Sequence, residues 1–74
     1  MDRNELEKEL SEAGVRKDLY SLYGGLPTEA YCMNQDGNQW IVYYSERGLK
    51  SDIRYFSSES DACDYAYMKI LSYK

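Results

Sequence analysis

The dipeptide Asp36-Gly37, set between two runs rich in aromatic and β-branched residues, constrains this chain more than any other feature. Residues 29 to 34 (Glu29-Ala30-Tyr31-Cys32-Met33-Asn34) and 38 to 46 (Asn38-Gln39-Trp40-Ile41-Val42-Tyr43-Tyr44-Ser45-Glu46) suit a pleated surface, and Asp-Gly between them favours a tight turn. An antiparallel hairpin follows. Glu46-Arg47-Gly48-Leu49-Lys50-Ser51 supplies a second turn, and Asp52-Ile53-Arg54-Tyr55-Phe56 returns as a further strand. Along the central strand Trp40, Val42 and Tyr44 point to one side, Ile41, Tyr43 and Ser45 to the other. Neither face is purely polar, so the second one invites a covering element or a partner.

Helices are expected at both ends. Asp2 with Glu5 three residues on is a capping-box pattern, Leu6, Leu10 and Ala13 follow at helical spacing, and Gly14 is placed to stop the helix. The last helix starts at Ser57 or Ser58, with Glu59 and Asp61 in its first turn and Cys63, Ala66, Tyr67 and Ile70 as its packing face. Residues 15 to 28 are ambiguous: Val15, Leu19, Leu22 and Leu26 fit a helical turn, while 19 to 23 read as a short edge strand, the preferred assignment. Gly24-Gly25-Leu26-Pro27 then forces a turn. The expected fold is α+β, an antiparallel β-meander of three or four strands flanked by an N-terminal and a C-terminal helix, with residues 1–74 as one domain. Trp40, Ile53, Cys63 and Ile70 are expected in its core.

Composition removes most chemistry. Histidine is absent, and with it the commonest general base and metal ligand. Two cysteines, Cys32 and Cys63, lack a histidine to activate either one and cannot supply four zinc ligands; their apolar neighbours fit buried thiols. Asn34, Asp36 and Asn38 alternate like calcium-loop ligands, but the sixth position is Gln39 and the twelfth Ser45. Glu29, Glu46 and Asp52 include candidates for a glycosidase carboxylate pair, which needs a cleft that a 74-residue chain can hardly carve. Gly24-Gly25 lacks the Lys-Ser/Thr of a phosphate loop. The expectation is a protein without cofactor or metal, and not an enzyme.

Nine lysines and arginines against thirteen acids give a net charge of −4, and five of those acids lie in residues 1 to 14. Nucleic acid is therefore an unexpected partner, the more so because the largest basic cluster is Arg16-Lys17. No run approaches 18 apolar residues, and Met1-Asp2-Arg3-Asn4-Glu5 does not open a secretory leader, so a cytoplasmic location is expected, with no membrane partner. Nine tyrosines are the compositional oddity; they give large contact area at small entropic cost and are enriched at protein interfaces. Tyr43, Glu46, Arg47 and Asp52 around the second turn, together with Tyr23 before the glycine pair, are the expected partner-binding residues.

The segments Tyr20 to Cys32, Trp40 to Gly48 and Phe56 to Cys63 together look like the small α+β immunity proteins of bacterial polymorphic toxin systems. This resemblance implies a cytoplasmic protein encoded beside a toxin, which binds the toxin domain and blocks its active site or an essential surface. No set of contact residues carries over, since partner surfaces differ between subfamilies. The alternative is a regulatory protein-protein interaction module unrelated to toxins.

Overall fold

A computed structural model describes residues 1–73. Helix α1 (Arg3–Glu12) leads through a single 3-10 turn (Lys17–Leu19) into strand β1 (Tyr20–Ser21). Strands β2 (Ala30–Asp36), β3 (Gln39–Glu46) and β4 (Leu49–Phe56) follow, and helix α2 (Glu59–Tyr73) closes the described chain. The four strands lie in sequence order in one sheet. This is the expected α+β fold with a helix at each end, and the β2–β3–β4 portion is an antiparallel meander.

Two features depart from the sequence reading. Residues 19 to 23 give a strand only at Tyr20 and Ser21, and that strand runs parallel to β2, with Tyr20 beside Tyr31 and Ser21 beside Cys32, so the sheet is mixed. The first hairpin turn is centred one residue later than Asp36-Gly37: Asp36 pairs with Gln39 across Gly37-Asn38. Only Gly37 of the two takes positive φ, at +62°, a type II′ arrangement whose first central position suits a residue without Cβ.

The N-terminal end of α1 is fixed by its own sequence. The Asp2 carboxylate accepts from the Glu5 amide at 2.9 Å, the Glu5 side chain accepts from the Asp2 amide, and Leu6 and Leu10 are the two residues that the helix buries. Helix α2 begins beside it: Ser58 Oγ accepts from the Asp61 amide, and the Glu59 carboxylate accepts from the Arg3 amide at 2.9 Å, so an acid of one helix serves an unpaired amide of the other.

The main core lies between the helices and one sheet face, where Leu6, Leu10, Tyr20, Met33, Val42, Cys63 and Ile70 meet. Cys63 and Ile70 are buried there as expected, while Trp40 is half-buried at the margin. Ile53 is the correction: at 40% exposure it stands outside the core. It shares a face with Tyr55, the cross-strand partner of Ile41, and that is the face without helices. Cys32, Ile41 and Tyr43 form a second, smaller core on this side, which ends before reaching β4.

The two thiols are free and buried in different cores, Cys32 on the helix-free face and Cys63 against Met33 Sδ at 3.8 Å. Burial, reinforced by Glu59, pushes the Cys63 thiol up to about 11, and burial likewise raises Cys32. Both should therefore resist a thiol reagent at pH 8 in the folded protein and react at once in denaturant, which a timed titration with a chromogenic disulfide would measure. Fast labelling of either one without denaturant would contradict the packing.

Candidate functional site: the β3–β4 hairpin tip

Glu46 pairs with Leu49 across Arg47-Gly48, both at positive φ (+52° and +79°), the type I′ geometry that matches the twist of the flanking strands. Glycine meets that requirement freely. Arginine does not, and a non-glycine residue held there is one of the strained positions that concentrate at binding and switch sites. The sheet holds the tip from both sides. On the helix face Tyr44 packs against Tyr31 and Tyr73, with ring centroids 5.0 and 5.4 Å away, and its hydroxyl pairs with that of Tyr73 at 2.8 Å, which pushes ionisation of Tyr44 upward. On the other face the Tyr43 hydroxyl donates to the Gly25 carbonyl at 2.7 Å, and Lys50 Nζ lies 4.7 Å above the Tyr43 ring. The result is a firmly seated hairpin whose end projects Glu46, Arg47, Leu49 and Lys50 into solvent.

The five expected partner-binding residues do not stay together. Glu46 and Arg47 are exposed at the tip. Tyr43 is 2% exposed, so it cannot be the aromatic anchor; alternation along β3 turned it toward the covering segment around Gly25. Asp52 is a bulge residue at φ +50°, and its carboxylate lies 3.6 Å from both Arg54 and Lys69, turned toward α2 rather than the tip. Tyr23 is exposed but belongs elsewhere: the Arg3 guanidinium stacks 4.4 Å from its ring and 5.0 Å from that of Trp40, at the opposite end of β3, about 20 Å from Glu46 at ~3.3 Å per residue.

Leu49 is the residue the sequence reading passed over. It is 72% exposed, the most exposed of the large apolar side chains, and it sits beside Arg47 with Glu46 and Lys50 around it. Its signal was available: a leucine inside a six-residue segment otherwise made of turn and charged residues has no core to fill. On the helix-free face, running from Lys50 toward the β2–β3 turn, Gly25, Leu26, Asn34, Asp36, Ile41 and Lys50 line a shallow hollow of about 300 Å³. Among the described residues no group of three or more cysteines and carboxylates is arranged to hold a metal ion, and no helix is long and apolar enough to cross a membrane. Comparison with protein-family models, with curated proteins and with solved structures finds no match.

Proposed function

We propose that this chain is a non-enzymatic binding protein of the immunity kind, acting in the cytoplasm, that neutralises a cognate toxin domain by stoichiometric occlusion through its β3–β4 hairpin tip. The observation that carries the reading is Leu49: an apolar side chain held in solvent on a strained, rigidly backed turn and rimmed by Glu46, Arg47 and Lys50. A partner that buries Leu49 recovers apolar area without reordering the loop, because the tip is already in place. The charges around it keep the isolated protein in solution and set the register of docking, each contributing under about 1 kcal/mol.

The test is co-expression with the product of the reading frame immediately upstream. The chain should restore growth when that product is toxic and should co-purify with it one to one. Leu49→Asp should abolish protection with an unchanged melting curve, and Leu49→Ala should weaken binding by on the order of 2 kcal/mol. Failure of the parent chain to protect, or full protection by Leu49→Asp, would sink the reading. A harmless neighbour that binds the chain equally well would instead support a regulatory interaction module.

A further inference from the structure

We infer that Tyr44 and Tyr73 form an oxidative modification site, at which a peroxide-driven one-electron oxidant joins β3 to the end of α2 through a dityrosine bond. The pair belongs to a cluster of three rings: the Tyr31 centroid lies 5.0 Å from that of Tyr44 and 5.7 Å from that of Tyr73. Tyr44 and Tyr73 differ from the other two pairings in how they meet. Their centroids are 5.4 Å apart but their hydroxyl oxygens only 2.8 Å, so the rings converge toward their hydroxyl ends. The Cε carbons beside the oxygens are thereby drawn closer than the ring centres. Those carbons carry unpaired spin in a phenoxyl radical, and a bond between them leaves the two hydroxyls side by side, as they already stand. Tyr31 hydrogen-bonds to neither ring, and among the described residues no other two tyrosine hydroxyls are hydrogen-bonded to each other.

Access and restraint coincide here. Tyr73 is 42% exposed, so an oxidant can reach it, while Tyr44 is half-buried and fixed in the sheet opposite Tyr31. Each phenol gives one electron to the oxidant and one proton to water. The two radicals couple through Cε, and the hydrogens displaced from those carbons are replaced by protons on the oxygens as the rings regain aromaticity. Two electrons and two protons are lost in all, which one hydrogen peroxide takes up as it becomes two waters. Because the reacting carbons are already adjacent, coupling within the chain outruns coupling between chains. The link closes a loop of about thirty residues and so restrains the unfolded chain in the manner of a disulfide. It ties down the last turn of α2 and leaves the hairpin tip, two residues beyond Tyr44, outside the closed loop.

The experiment treats dilute, folded protein with a haem peroxidase and limiting hydrogen peroxide. The monomer should lose two hydrogen atoms by intact mass and gain dityrosine fluorescence. Trypsin releases residues 70–74 with Tyr73 as their one tyrosine, so that peptide should be found joined to residues 18–47, and fragmentation should place the bond at Tyr44. Tyr44→Phe and Tyr73→Phe keep both rings in place and should each abolish the product, whereas Tyr31→Phe should leave it. The urea-unfolded chain should yield about tenfold less of it under the same conditions. Linked protein, purified from the mixture, should melt on the order of 10 °C above the parent. Dimers joined through the exposed Tyr23 or Tyr55 with no internal link overturn the proposal. So does a bond that maps to Tyr31, an equal yield from the unfolded chain, or a linked protein that melts no higher than the parent.

Discussion

Tyr43→Ala should leave the chain largely unfolded at room temperature, although the residue lies only three positions before the exposed hairpin tip. Its ring is buried with Cys32 and Ile41, and its hydroxyl donates to the Gly25 carbonyl. Removing a buried aromatic costs roughly 3–5 kcal/mol, most of the stability of a domain this small. Tyr43→Phe keeps the ring, loses one hydrogen bond and should cost about 1 kcal/mol. Urea titration followed by circular dichroism separates the two variants. A Tyr43→Ala protein melting within a few degrees of the parent would return Tyr43 to the surface. Alkali gives an independent check: burial pushes the phenol up to about 12 from its ordinary 10.0. The unfolded chain therefore ionises first, and the stabilisation from Tyr43, full below pH 10, falls away as pH rises through that window.

Leu10→Ala should be the second large effect, lowering stability by roughly 2–5 kcal/mol, well beyond the cost of about 1 kcal/mol expected for Asp2→Ala. A ten-residue helix is too short to persist in water on propensity and a capping box alone. Most of its residues are charged or polar and face solvent, so Leu6 and Leu10, both fully buried, carry its attachment. Denaturant midpoints of the two variants rank these contributions. If Asp2→Ala proved the more damaging, capping rather than docking would be holding α1.

What the sequence made legible was local. The capping box, the hairpin around Gly37, the return through β4 and the helix after Ser58 each rest on residues within a few positions of one another, and each forms. Alternation along β3 also sorted Val42 from Tyr43 correctly. It could not say what would cover either side. That depends on a segment some eighteen residues earlier turning back so that the Gly25 carbonyl meets Tyr43, which encloses Tyr43 and Ile41 but leaves Ile53 open at the far edge. The same limit explains the site. The charged turn was visible, yet its apolar member was Leu49 rather than Tyr43, because the order of faces along a strand does not announce where the core stops. Asp52 was misplaced for a local reason: the bulge at φ +50° turns its carboxylate toward Lys69 instead of the tip.

Strand β1 has a consequence for how the molecule breathes. It joins the sheet through Tyr20 and Ser21 alone, while β2, β3 and β4 are stitched together along nearly their whole lengths. The N-terminal segment through Leu22 is thus expected to open as one cooperative unit, by breaking one short parallel pairing, releasing the Arg3–Glu59 hydrogen bond and withdrawing Leu6, Leu10, Tyr20 and Leu22 from the core. Amide hydrogen exchange should resolve this as a graded pattern, with α1 losing protection in a sub-global opening and the β2–β3 amides exchanging only when the whole chain unfolds. The β2–β3–β4 meander, whose hairpin contacts are closest in sequence, would form first on refolding, and the helices would dock onto it afterwards.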